Sequence, residues 1–457
     1  MIPILSRLEL RDYFRLAYAL SILIIDRVLR FVWPVIYFFK PRKSEHDSLK
    51  EEKDKFMGLK DTRTMLMHFG VDFEEVVVRT EDGFFLTLFR MLPTTNESPS
   101  ISGNSANSSN TSKPPVLMLH GSMLSSDVWF CHREPLKNLP ILLLRLGHEV
   151  WLGNRRGNKY SSRHMHLKSR QPEFWDWGLD EVALFDIPSM VQRVVDSGKN
   201  IKGTKCVVIA FSQGSAEIMA ALSLDKELNE KVGLVIGLAT MTRPNLLSSP
   251  SIMSALIHGP PELLYLLFGR KMMLSSVLFW MEKLPSRVYS ALIDFFMGQL
   301  FGWDCRNIDK VDRRHMYLKL YSYCSVKTVA HWFQMARAGR FQMFDDNEPS
   351  TGHVPIAYPL KQIRSPLVLF FGERDSLCDH KYTMDELADK AGGPVEHVIQ
   401  ADYEHIDFIM ADNVDTALFP RIEKILARCR TQVTVNGAPR SRSRKTSDNS
   451  SFSSLIE

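Results

Sequence analysis

Short apolar runs alternating with stretches of helical periodicity constrain this chain more than any other feature. Val116–Leu119, Glu149–Leu152, Cys206–Phe211, Leu234–Ala239 and Leu367–Phe371 are near-continuous apolar runs without polar alternation. A strand buried on one face alternates, and one buried on both faces does not. Leu179–Asp196 and Ser215–Leu224 lie between these runs with helical spacing. The pattern predicts an α/β domain whose mostly parallel sheet is covered by helices on both sides. Ahead of it, Glu74–Arg79 and Phe84–Leu92 flank Glu81-Asp82-Gly83, a hairpin signal because Asp-Gly tolerates positive φ. No internal repeat is visible.

The two ends differ from this middle. The formal net charge is +5, made up of +5 over residues 1–43, +2 from Thr431 onward and −2 over 44–430. A nearly neutral interior argues against a nucleic-acid partner. A mean hydropathy of −0.12, with 27 Phe, excludes both a polytopic membrane protein and a mostly disordered chain. Near the N-terminus, Leu16–Ile25 and Phe31–Phe39 are apolar and are separated by Asp26-Arg27-Val28-Leu29-Arg30. Each block is shorter than the roughly 18 residues a membrane span needs, and no small-residue cleavage site follows. With Trp33, Tyr37 and the bases of Lys40-Pro41-Arg42-Lys43 at headgroup level, residues 1–43 are expected to form a monotopic membrane anchor. Residues 44–60 read as a charged linker, and 94–115 as a flexible Ser/Asn-rich loop with sequons at Asn96, Asn107 and Asn110. Residues 431–457 read as a disordered Ser/Arg-rich tail, open to phosphorylation at Ser441, Ser443, Thr446 and Ser447. The cysteines (Cys131, Cys206, Cys305, Cys324, Cys378 and Cys429) are scattered with no C-x-x-C pair. Free thiols are expected rather than a zinc ribbon or a disulfide framework.

The sharpest local feature is Val207-Val208-Ile209-Ala210-Phe211-Ser212-Gln213-Gly214-Ser215-Ala216. A strand ends on a serine and small residues follow as a helix opens, the pattern of a strained turn that projects a nucleophilic hydroxyl. The usual first glycine of G-x-S-x-G is Ala210. Upstream, His120-Gly121-Ser122 follows an apolar strand, where a loop N–H for an oxyanion hole is expected. The donors would be the backbone N–H groups of Ser122 and Gln213. Downstream, Leu367–Phe371 runs into Gly372-Glu373-Arg374-Asp375, which offers a carboxylate, with Asp379 as a competitor. A histidine follows in Asp402-Tyr403-Glu404-His405-Ile406-Asp407, with His397 as a competitor inside an expected strand. Ser212, Asp375 and His405 occur in the chain order of an α/β-hydrolase nucleophile, acid and base. His164 and His166 lack a third ligand at helpful spacing and read as solvated loop residues rather than a metal site.

Taken together, these motifs resemble the acid-lipase family of α/β-hydrolases, and most closely its fungal membrane-anchored sterol ester hydrolases. The resemblance rests on His120-Gly121, on Trp151-Leu152-Gly153-Asn154-Arg155-Arg156-Gly157-Asn158 with Tyr160-Ser161, and on Glu173-Phe174-Trp175 leading to Asp180-Glu181 and Asp186-Ile187-Pro188. Phe211–Ala216 and His405-Ile406-Asp407-Phe408-Ile409 complete it, over residues 60 to 430. It implies lipid ester hydrolysis through an acyl-enzyme on Ser212, with His405 as base then acid and Asp375 orienting it, and steryl esters are the expected substrate. No metal or cofactor is implied. Triacylglycerol hydrolysis, or an inactive hydrolase fold tethered to lipid surfaces, are the alternatives.

The 163 residues from Ser212 to Asp375 exceed what one strand and two helices require. Residues 245–350 hold Leu263–Phe268, Met272-Met273, Phe279-Trp280-Met281 and Phe295-Phe296-Met297, and are expected to form a helical cap or lid. The expected organisation is an anchor (1–43), a hydrolase core (44–244 and 351–430) split by this cap, and the tail. The expected setting is a membrane or lipid-droplet surface, at the droplet or the endoplasmic reticulum, with the catalytic domain facing the cytosol.

Overall fold

A computed structural model describes residues 56–93, 113–197, 205–245, 261–273, 275–346, 355–388 and 392–436, with Ile257 and scattered positions between 17 and 32. The sequon-bearing part of the 94–115 loop and the tail beyond Asn436 lie outside the described residues, as do most of residues 1–43.

The strands are β1 (Phe73–Arg79), β2 (Phe84–Met91), β3 (Val116–Leu119), β4 (Val150–Gly153), β5 (Arg163–His164), β6 (Cys206–Phe211), β7 (Val232–Leu238), β8 (Met272–Met273), β9 (Cys324–Ser325), β10 (Leu367–Gly372) and β11 (Val395–Gln400). Nine of them form one sheet in the order β1-β2-β4-β3-β6-β7-β10-β11, with β5 paired to β2, while β8 and β9 pair separately. From β4 to β11 every neighbour pair is parallel, and the β1–β2 hairpin adds antiparallel to β4. The hairpin turns at Gly83, whose φ of +99° explains the Asp-Gly signal.

The apolar runs are continuous because both faces of the sheet are covered. Along β6, Val207, Ile209 and Phe211 join one core with Leu139, Ile422, Ile425 and Leu426. Cys206, Val208 and Ala210 join the other, with Met190, Val191, Ile218 and Leu222. Helices α1 (Ile187–Ser197) and α2 (Gln213–Leu224) therefore cover one face, and α7 (Phe419–Asn436) lies over the other. Between β7 and β10 the chain forms α3 (Pro261–Phe268), α4 (Ser275–Lys283), α5 (Ser286–Phe301) and α6 (Val326–Ala338).

Three local readings differ from the structure. The expected single helix over Leu179–Asp196 is interrupted by a wide π-type turn at Val182–Asp186. Pro188 follows two residues after the turn ends and has no N–H for an ordinary i→i−4 bond. The α7 helix continues through Asn436, so the expected tail boundary at 431 falls inside a helix whose buried Ile422 and Leu426 anchor it. His164 is not a solvated loop residue: it lies in β5, bonds the Asp82 carbonyl at 2.9 Å and meets the Phe84 ring edge-on at 4.7 Å.

Cys131, Cys206, Cys305, Cys324 and Cys378 are free and buried. Burial pushes the Cys131, Cys206 and Cys305 thiols up to about 12, and Cys324 to about 11. The thiolate is the reactive form. Titration of the native protein with a disulfide reagent at pH 8 is therefore expected to find at most one of the six thiols, and all six in denaturant. Rapid native reaction of two or more would contradict the described packing.

Candidate active site

Ser212 sits where β6 ends and α2 begins. Its φ of 54° and ψ of −121° are strained for a residue with a Cβ. The turn is held by the Ser212 N–H to Leu238 O at 2.8 Å and by the Ser215 N–H to Ser212 O at 2.9 Å. Gly214 makes the close approach: a Cβ there would stand 2.8 Å from His120 O and 2.9 Å from Leu119 O. The helix start thus packs directly on the loop after β3, and only glycine fits. Ala210, where a glycine is usual, is fully buried, registers with Gly237 on β7 and packs in the core with Val208, Ile218 and Leu222.

His405 follows β11 on the loop leading to Asp407. Its Nε2 lies 2.7 Å from Ser212 Oγ, and its Nδ1 lies 2.7 Å from Asp375 Oδ2. All three residues are buried. Asp375 Oδ1 accepts the N–H groups of Leu377 at 3.0 Å and Cys378 at 3.3 Å. Burial pushes this carboxyl up, but His405 and these donors outweigh it, so the group lies below its ordinary value and stays charged. At Gly372 a Cβ would stand 2.4 Å from Tyr403 O, so glycine lets the Asp375 turn reach the histidine loop.

The competing candidates are occupied elsewhere. Asp379 caps the helix that begins at His380 by accepting the Tyr382 N–H at 3.0 Å, and it pairs with Arg243 at 3.2 Å. His397 is an exposed residue of β11. Ser122 and Gln213 flank the nucleophile turn, Ser122 on the loop after β3 and Gln213 at the first position of α2. Among the described residues neither amide N–H has a hydrogen-bond acceptor, as oxyanion donors require.

Sequence reasoning missed the aromatic packing of the histidine. The Trp303 indole stacks on the His405 ring, with centroids 5.4 Å apart and planes 7° from parallel. Phe301 stacks behind Trp303 at 4.4 Å, and Phe211 packs against His405 at 5.3 Å. The Trp303 Nε1–H donates to Ser376 Oγ at 3.0 Å, fixing the indole beside Asp375. Cys378, also unassigned from the sequence, places its Sγ 3.5 Å from His405 Nδ1. Among the described residues, Asp375, Cys378 and His405 are the one group of ligand-type atoms close enough to share a cation. Their mutual hydrogen bonds use those same lone pairs.

A sheet that carries a buried serine, histidine and aspartate in mutual contact at the ends of β6, β10 and β11 belongs to an α/β-hydrolase, a carboxylic ester hydrolase. Residues 62–133 match the family model for a partial alpha/beta-hydrolase lipase region, and residues 114–412 match that for the alpha/beta hydrolase fold. The chain is 36% identical over 370 residues to "Probable lipase C1672.09" of Schizosaccharomyces pombe, covering 79% of this chain and 76% of that protein. It is 27% identical over 367 residues to Lipase member K of Homo sapiens, covering 78% and 88%. Gastric triacylglycerol lipase of Rattus norvegicus is 28% identical over 376 residues, covering 79% and 90%. The chain belongs to the acid-lipase family of α/β-hydrolases.

Proposed function

We propose that this protein hydrolyses steryl esters at a lipid surface, through an acyl-enzyme on Ser212. His405 takes the Ser212 proton as the hydroxyl attacks the ester carbonyl, and then gives it to the leaving sterol oxygen. Asp375 holds the imidazole in the tautomer that presents a free Nε2 to the serine. The N–H groups of Ser122 and Gln213 receive the negative charge on the tetrahedral oxygen. A water activated by His405 then releases the fatty acid. The observation that carries the reading is the continuous Ser212–His405–Asp375 hydrogen-bonded line, which also counts against an inert scaffold.

The lipid-surface setting is supported by where apolar side chains face solvent. Leu20, Ile24, Ile25, Val28 and Leu29 are exposed near the N-terminus, as are Val288, Leu292, Phe295 and Phe296 on α5 and Leu266 on α3. On α5 the spacing 288, 292, 295, 296 makes one helix face. Asp26 receives Ser276 Oγ–H at 2.8 Å and Trp280 Nε1–H at 2.6 Å, so the N-terminal segment is fastened to α4. Among the described residues no helix is long and apolar enough to cross a membrane. We read residues 1–43 as a monotopic anchor and residues 245–350 as a cap, on a core of 44–244 and 351–430. The droplet or endoplasmic-reticulum surface, with the core in the cytosol, is part of this proposal.

The full chain, extracted in detergent, is expected to cleave emulsified cholesteryl oleate at least tenfold faster than triolein. The reverse order favours the triacylglycerol reading, which the name of the rat relative recommends. Failure on both emulsions with good turnover of a soluble short-chain ester would overturn the lipid-ester reading.

A further inference from the structure

One buried ion pair joins the two segments that carry the oxyanion donors. Arg155, on the loop after β4, places Nη1 2.7 Å from Glu217 Oε1, and the two side chains are only 6% and 2% exposed. Its Nη2 donates to Gly121 O at 2.6 Å, also bonds the His120 carbonyl, and lies 3.1 Å from His120 Nδ1. Glu217 stands one helical turn beyond Gln213 on α2 and accepts the Gln213 side-chain Nε2–H at 2.6 Å. Gln213 Oε1 in turn accepts Trp332 Nε1–H, from α6, at 2.8 Å. The line therefore runs from Gly121 through Arg155, Glu217 and Gln213 to Trp332, entirely inside the protein.

The Gly121 carbonyl and the Ser122 N–H are two ends of one planar trans peptide group and point in opposite directions. Whatever holds the carbonyl aims the N–H. We propose that Arg155 is a positioning residue for the oxyanion hole: it grips the Gly121–Ser122 peptide by its carbonyl and so turns the Ser122 N–H toward the Ser212 site. Glu217 fixes the guanidinium to the same helix turn that presents the second donor, the Gln213 N–H. The pair locks the separation of two donors that lie about ninety residues apart in the chain. Gly121 and Gly214 permit this closeness, since a Cβ on Gly121 would meet the Phe211 ring at 2.9 Å. A guanidinium at the far end of the peptide also polarises it, which strengthens the N–H as a donor to developing negative charge. The inference rests on the acyl-enzyme reading of Ser212.

The test uses two variants of the full chain and a soluble p-nitrophenyl ester. The double variant Arg155→Met/Glu217→Met removes both buried charges together, which is commonly neutral for stability. Arg155→Lys keeps the charge facing Glu217 but loses the planar fork. Both are expected to lower kcat, the double variant by about 100-fold, the cost of misplacing a reacting or stabilising group by about 1 Å. KM is expected to change less than threefold. Affinity for a trifluoromethyl ketone, whose adduct carries the oxyanion, should fall in step with kcat. Arg155→Lys is expected to show the same pattern at about tenfold, and it remains informative if the double variant does not fold. A kcat within threefold of the parent in a folded variant overturns the proposal, as does a loss that leaves trifluoromethyl ketone affinity unchanged. Ser212→Ala measured alongside separates the two readings. Retained turnover there removes the acyl-enzyme itself, whereas an inactive Ser212→Ala beside a normal double variant removes only the role of Arg155.

Discussion

Replacing Ser212 by Ala is expected to lower kcat by about 10⁶-fold, the scale of losing a nucleophile whose base and oxyanion donors remain. Ser212→Gly should lose activity equally, yet the two variants should differ in stability. Glycine is usually the less stable choice by about 0.5–1 kcal/mol. At φ 54° and ψ −121° the order reverses, because the Cβ is what makes that conformation costly. Both variants lack the hydroxyl and its 2.7 Å bond to His405, so their difference isolates the backbone. Denaturant unfolding is expected to place Ser212→Gly about 1–2 kcal/mol above Ser212→Ala. Equal stabilities would mean the turn is unstrained. Near-parental turnover in either variant would remove Ser212 as the nucleophile.

The second large effect is on folding rather than catalysis. Arg156 is 1% exposed and binds Asp186 through Nε at 2.8 Å while its backbone N–H reaches the same carboxylate at 2.8 Å. Its Nη1 and Nη2 reach Asp82 of the hairpin turn at 2.6 and 3.0 Å. One side chain thus ties the β1–β2 turn, the loop after β4 and the wide turn at 182–186. Arg156→Leu leaves the Asp186 carboxylate buried without its partner, and should cost about 3–5 kcal/mol at neutral pH. Burial already pushes Asp186 above its ordinary value, and Arg156 pulls it part of the way back. With Arg156 gone, the native value rises further. A raised carboxyl binds its proton more tightly in the folded state, so its contribution is greatest below the unfolded value near pH 4 and is lost as pH rises through the folded value. The deficit of Arg156→Leu should therefore be largest at pH 7.5 and shrink toward pH 5. A deficit that grows on acidification would show that Asp186 is not the group left unpaired.

The parts of the fold legible in the sequence were those with a long local signal. The buried parallel strands lack alternation because two helical layers cover them, and β6, β7 and β10 lie within two residues of their expected limits. The structure brings Ser212, Asp375 and His405 together; the sequence pattern put Ser212 and Asp375 at strand ends, whereas the position of His405 just beyond β11 carries no such local signal. Local periodicity cannot register two-residue pairings such as β8 with β9, or the π-type turn that Pro188 accompanies. Trp303 and Trp332 reach the site from the long stretch between β7 and β10, and Arg155 from the loop after β4. Their roles depend on distances between distant segments, for which a linear pattern carries no signal.

Strand order has a consequence for when this chemistry becomes available. Along β6-β7-β10-β11, position in the sheet follows position in the chain, so each later strand joins at an open edge without parting those already paired. Ser212 leaves the ribosome 193 residues ahead of His405, a gap of roughly 10–40 s at about 5–20 residues per second. Throughout that interval the hydroxyl has no base beside it. The nascent chain is chemically silent until its last edge strand docks, and a product truncated before residue 405 retains the serine but no means of using it.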